Sequence, residues 1–139
     1  MAVKLLVLDS WPIMECLKAR EPVATNFDEL IDAARTGKVQ LLLSNINFGE
    51  IYYNCWKEWG QVRADEIRVG FDELPVRIVH PAPEDVLATA SIKARYGFPY
   101  ADSFAVVLAL EYSGSVLTGD PDFLTFSQNG LVTVEWWGK

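Results

Sequence analysis

Apolar residues fall along this chain in two rhythms: short continuous runs, and longer stripes at helical spacing. The runs are residues 3–9 (VKLLVLD), 39–44 (VQLLLS), 75–80 (PVRIVH), 115–118 (SVLT) and 132–137 (VTVEWW). Apolar runs of strand length with little alternation mark strands buried on both faces. Between them the spacing turns helical. Residues 10–20 (SWPIMECLKAR) predict a helix capped by Ser10, with Pro12 in its first turn and Lys18 and Arg20 near its end. Residues 26–35 put Phe27, Leu30, Ile31 and Ala34 on one face and close at Gly37. Residues 47–59 carry a stripe of Phe48, Ile51, Tyr52, Cys55 and Trp59 up to Gly60, and residues 61–74 continue through Val62, Ile67, Val69 and Phe71. Helices over 83–96, stopped by Gly97, and over 99–112, with AVVLAL at its heart, lead into the fourth run, and a short helix follows it.

Strands separated by helices imply right-handed crossovers and helices on both faces of the sheet. The expected fold is therefore α/β, a three-layer α/β/α sandwich around a mostly parallel sheet of about five strands. With 139 residues, half of them hydrophobic, the chain reads as a single domain spanning residues 1–139, with no repeat or low-complexity stretch. In such sheets ligands bind beyond the carboxyl ends of the strands, at the point where strand order reverses. Asp9 and Asp120 both leave the carboxyl end of a predicted strand, which places them at the same sheet edge.

Charge narrows the function classes. A net charge of −7 argues against nucleic-acid binding by a broad basic face. It leaves room for a nuclease, whose acids gather around a cation. The apolar runs are too short to span a bilayer, and the N-terminal MAVKLLVLDS lacks the length and cleavage site of a signal peptide. Cys16 and Cys55, far apart and each within a helical pattern, read as buried free thiols, which fits a cytoplasmic protein.

The acids themselves have two readings. Singly, each is a helix cap. Asp9 with Ser10 suits the start of the first helix, Glu50 stands three residues after Asn47 as in a capping box, Asp102 suits a first turn, and Asp120 precedes Pro121. Jointly, they are a metal site. Glu50 falls off its helix's apolar stripe, and Asp102 interrupts the first turn of a greasy helix. Two carboxylates ~5 Å apart repel by on the order of 3 kcal/mol at an effective dielectric of ~20. A hard divalent cation such as Mg²⁺ or Mn²⁺ removes that cost, and no Cys/His cluster competes for zinc.

Four segments taken in order, LLVLDS, SNINFGEIYY, GFPYADSFAVVLAL and VLTGDPDF, resemble the PIN domain, most closely the VapC-type toxin ribonucleases of toxin–antitoxin pairs. The resemblance runs nearly the whole chain, through the closing GLVTVEW. It implies a Mg²⁺- or Mn²⁺-dependent endoribonuclease leaving 5′-phosphate and 3′-hydroxyl ends, a homodimer, and a small antitoxin occluding the acidic pocket. The family's acids fall on Asp9, Glu50, Asp102 and Asp120, with Asp122 as auxiliary carboxylate and Ser10 and Thr118 supporting the metal shell. Asp9, Asp102 and Asp120 then belong to the inner shell or hold its water ligands, and Glu50 binds through water or orients the nucleophile. Trp11 departs from the pattern, since the family often has a small residue there.

Other residues stay open at this level. Lys93 and Arg95 precede the loop to Asp102, where they meet either phosphates or solvent. Tyr52, Tyr53, Trp56 and Trp59 suit packing at a dimer or partner interface better than RNA stacking. His80 has no matching partner for acid–base chemistry. Competing enzymes fit poorly: a haloacid-dehalogenase phosphatase wants an aspartate where Trp11 stands, a receiver domain wants one after the third strand, and no P-loop appears. The remaining alternatives are a catalytically silent PIN-like binding module and a housekeeping PIN nuclease of RNA processing.

Overall fold

The structure, a computed structural model, describes residues 3–139. Five strands, β1 (Lys4–Leu8), β2 (Val39–Ser44), β3 (Val76–Val79), β4 (Ser115–Thr118) and β5 (Val134–Trp136), form one sheet in the order β3-β2-β1-β4-β5. Every neighbouring pair is parallel. The chain steps outward from β1 to β2 and β3, then returns across β1 to β4 and β5. The strand order thus reverses between β1 and β4, so the carboxyl ends of these two strands flank the crevice.

The central strands read as unbroken apolar runs because both their faces are covered, and period two still sorts their side chains. Leu6, Leu8, Leu41, Leu43 and Leu117 join one core with Ile13, Phe27, Ile31, Ile51 and Phe71. These come from α1 (Ser10–Leu17), α2 (Val23–Arg35), α3 (Asn45–Trp59) and the 3-10 turn Phe71–Glu73 that follows α4 (Gln61–Gly70). Val7, Leu42 and Val116 point the other way. They pack with Val106, Ala109, Phe123 and Phe126 from α6 (Tyr100–Glu111) and α7 (Asp122–Gln128), and α5 (Pro83–Tyr96) packs alongside α6. The expected three-layer α/β/α arrangement is what forms, with a sheet that is wholly parallel.

Several boundaries shift, each for a local reason. α2 begins at Val23 rather than residue 26, because Val23 is buried and draws the helix upstream of Asn26. α1 is capped by Asp9 rather than Ser10, which is its first helical residue, and it ends at Leu17. α3 starts at Asn45 rather than residue 47, since Ser44, the last residue of β2, is itself the cap and accepts from the Ile46 N–H at 3.2 Å. Glu50 therefore belongs to no capping box with Asn47. β5 shortens to three residues because Val132 is drawn into the core beside α6. The two cysteines are free, Cys55 buried and Cys16 half-buried. Among the described residues no helix is long and apolar enough to cross a membrane.

Candidate metal centre

The edge where β1 and β4 end collects the acids. Asp9 follows β1 directly and is 1% exposed, which demands partners for its carboxylate. Its Oδ2 accepts from the Trp11 N–H at 3.3 Å, capping α1, and from the Thr118 hydroxyl at 2.8 Å. Its Oδ1 is buried with no hydrogen-bond partner. An oxygen so placed, with its twin doubly held, is aimed and unsatisfied, and it suits a cation. Thr118 works in both directions, because its hydroxyl also accepts the Asp120 N–H at 3.0 Å. One threonine at the end of β4 thereby ties the two acid-bearing loops together. Ser10, the first residue of α1, is half-buried next to Asp9 in the chain.

The second pair arrives on helices. Asp102 sits in the first turn of α6, 8% exposed. Glu50, in the second turn of α3, is held by the Asn47 amide, which donates to Glu50 Oε1 at 2.9 Å and to the Ala101 carbonyl at 3.2 Å. Asn47 is fully buried, and its single amide both aims Glu50 and pins α3 to α6 beside Asp102. Sequence reading missed it. The available signal was an Asn one turn before a candidate acid on the same helix.

One carboxylate oxygen each from Asp9, Glu50 and Asp102 lie within 4.8 Å of one another, and so do those of Asp102, Asp120 and Asp122. Asp102 belongs to both sets and is the hub. Burial, then the like charges of Asp9, Asp120, Glu50 and Asp122, push its carboxyl up to about 8. Burial likewise lifts Asp9 to about 6, opposed by bonds from Thr118, Ser10 and Trp11 and aided by the charge of Glu50. Among the described residues neither acid has an ion-pair partner, so a bound cation would relieve the crowded charge. All-oxygen donors suit a hard divalent ion such as Mg²⁺ or Mn²⁺.

Asp120 bonds the start of α7 without being its cap, a position that Pro121 takes. Its Oδ1 accepts from the Asp122 N–H at 3.0 Å. The helix starts at Asp122 with Pro121 before it, one residue later than an Asp120 cap requires. Asp122 itself is exposed on the rim.

Lys93 and Arg95 are exposed on the last turn of α5, where Lys93 donates to the Gly97 carbonyl at 3.4 Å and so caps its own helix. His80 is hydrogen-bonded by the Asn45 amide, 2.7 Å from its Nδ1, which is no acid–base partner. On α3, Tyr52 donates to Asp65 at 2.6 Å, while Tyr53, Trp56 and Trp59 stand exposed, so Trp59 leaves the predicted stripe.

Known proteins agree with this architecture. The fold resembles VapBC2 from Rickettsia felis, solved bound to a fragment of promoter DNA, at a TM-score of 0.73 and 12% identity over 96% of this chain and 98% of that one. It also resembles DNA-bound VapBC from Salmonella typhimurium, at 0.69 and 19% over 98% and 99%. Mycobacterium tuberculosis VapC20, described as a toxin cleaving the sarcin–ricin loop, matches at 0.70 and 14% over 86% and 93%. Comparison with curated proteins by sequence finds no match. The PIN domain, however, matches residues 6–128, which span every acid above. The chain belongs to the PIN-domain family.

Proposed function

We propose that this protein is a Mg²⁺- or Mn²⁺-dependent endoribonuclease, the toxin of a toxin–antitoxin pair, acting in the cytoplasm. The observation that carries the reading is the pair of carboxylate sets sharing Asp102, beside a buried Asp9 Oδ1 with no partner. A cation bound there would supply an acidified water and offset charge on the scissile phosphate. Asp9, Asp102 and Asp120 would hold it, with Asp122 at the rim. Thr118 fixes the Asp9 carboxylate and the Asp120 loop, so neither must reorganise when substrate arrives. Glu50, aimed by Asn47, orients the attacking water.

The solved neighbours include VapBC complexes and a toxin that cleaves the sarcin–ricin loop, which supports RNA as substrate and a small antitoxin as partner. An acidic pocket is complementary to a basic side chain of such an inhibitor. The exposed Tyr53, Trp56 and Trp59 on α3, next to Val62 on α4, supply an apolar face for a homodimer.

The test has two steps. Mn²⁺ titration with amide NMR should broaden signals centred on Asp9, Glu50, Asp102 and Asp120, less so in Asp102→Asn. Cleavage of single-stranded RNA should then require Mg²⁺ or Mn²⁺, stop with EDTA, and fall at least 100-fold in the variant. Diffuse broadening with no cleavage would leave a PIN-like binding module, and cleavage unaffected by EDTA would refute the metal assignment.

A further inference from the structure

Beside the acids lies an open cleft of about 640 Å³ whose walls the nuclease reading does not use. Trp11 and Trp136 line it with Gly119 and Pro121, and Glu15 and Arg20 stand at its rim. The two tryptophans are fixed by close packing. A Cβ at Gly119 would come within 2.3–2.6 Å of the outer edge of the Trp11 six-membered ring. One at Gly138 would come within 2.4 Å of the Trp136 ring. Glycine at both positions is what lets the indoles sit down on the backbone. The tail after β5 is in turn tied to β4, through the Trp137 N–H donating to the Thr118 carbonyl at 2.9 Å. Both indoles remain half-buried, with surface toward the cleft.

Its position is dictated by covalent connection to the site. Trp11 is two residues from Asp9 and its N–H bonds that carboxylate, while Gly119 and Pro121 flank Asp120. Anything lying in the cleft touches the acids' own loops. The charge at the rim selects what enters. Arg20 is engaged by Glu15 at 3.0 Å, and Glu21 and Lys139 add one charge of each sign, so the lining carries no net charge to draw in a phosphate. An uncharged, planar, partly polar group fits better, and every nucleobase presents a π-face to an aromatic wall.

We propose that this cleft receives an unpaired nucleobase of the RNA next to the scissile phosphate, with Trp11 as the stacking residue that positions the chain over the acids. The inference rests on the nuclease reading. It also gives the large residue at position 11 a purpose: Trp11 sets where along a single strand the cut falls, while the backbone passes the acids outside the cleft.

The test is NMR of the indole N–H signals of Trp11 and Trp136, assigned with Trp11→Phe and Trp136→Phe, in the Asp102→Asn background to suppress cleavage. Probes are adenosine and uridine 5′-monophosphate, ribose 5-phosphate, and octaadenylate and octauridylate. The nucleotides should move both signals, and ribose 5-phosphate neither. Trp11→Ala should weaken octanucleotide binding by roughly 5- to 100-fold, and Trp11→Phe should recover most of it. With Asp102 intact, Trp11→Ala should leave Mn²⁺ broadening at Asp9 and Asp120 unchanged. RNA that is bound and cut while both indole signals stay still overturns the cleft and spares the nuclease. RNA neither bound nor cut by the wild type overturns the nuclease reading and the cleft together. Signals that move on dilution of the protein alone assign the cleft to a second copy of the chain and overturn the proposal. Should Trp11→Ala not fold, the wild-type indole shifts and the Trp11→Phe affinity decide the matter.

Discussion

Replacing Asp102 by Asn should make the metal-free protein more stable at neutral pH while weakening its hold on metal. Asp102 is the acid shared by both carboxylate sets, and burial with its like-charged neighbours lifts it from 3.8 to about 8. Between those values the folded chain carries a proton on Asp102 that the unfolded chain does not. Stability from this group is thus complete below about pH 4 and is lost as pH rises toward 8. At pH 7 the deficit is at most about 4 kcal/mol, because each unit between 3.8 and 7 contributes ~1.4 kcal/mol. Water reaching the open side of the site reduces it to roughly 2–4 kcal/mol. Asn has the shape of the protonated acid and takes up no proton, so the variant escapes the deficit. For a chain of 139 residues each kcal/mol moves Tm by about 3 °C, which puts the expected rise at roughly 5–15 °C in EDTA at pH 7. The assay is thermal unfolding by circular dichroism from pH 4 to 8, with and without Mn²⁺. The gain should shrink to nothing near pH 4, and Mn²⁺ should stabilise the wild type far more than the variant. A variant less stable than wild type at pH 7 in EDTA, or a gain that persists at pH 4, would refute the electrostatic reasoning.

Four further outcomes follow from the same contacts. Calorimetric affinity for Mn²⁺ should increase from pH 5 to 8 as the protons on Asp9 and Asp102, with pKa near 6 and 8, stop competing. Thr118→Val removes the hydroxyl that donates to Asp9 and accepts from Asp120; it should cost about 1–3 kcal/mol in urea unfolding and weaken Mn²⁺ binding roughly 10- to 100-fold. Gly119→Ala drives a methyl into the Trp11 ring and should destabilise by about 1–3 kcal/mol, a loss that Trp11→Ala in the same chain partly relieves in a double-mutant cycle. Asn47→Ala frees Glu50 and cuts the tie to Ala101, so RNA cleavage should drop more than Mn²⁺ affinity does, measured by initial rates against titration calorimetry.

Asp120 and Glu50 show how far one-dimensional reasoning reaches. For Asp120, capping and site membership were both legible, because a strand end followed by Asp-Pro-Asp carries each signal. The structure keeps the place in an acid set but moves the cap to Pro121, leaving Asp120 one bond to the Asp122 N–H. For Glu50 the capping-box reading fails, since Ser44 starts α3 two residues early and leaves Asn47 inside the helix. What replaces it is a contact between elements: Asn47 reaches Ala101 on α6, 54 positions away. No local pattern encodes that partner.

The alternation of apolar runs and helical stripes was enough, by itself, to determine a parallel α/β sheet and to send Asp9 and Asp120 to one edge of it. Backbone hydrogen bonding and burial permit few other ways to cover strands that are apolar on both sides. Only the tertiary structure decided that Asp102 joins the two acid sets, that Thr118 bridges Asp9 and Asp120 across 109 residues of chain, and that Trp11 lies on Gly119 beside them. Those relations depend on where strand order reverses and on ångström-scale packing between loops. Periodicity places a residue on a face, whereas charge coupling and close contact fall off within a few ångströms and are set only when the faces meet.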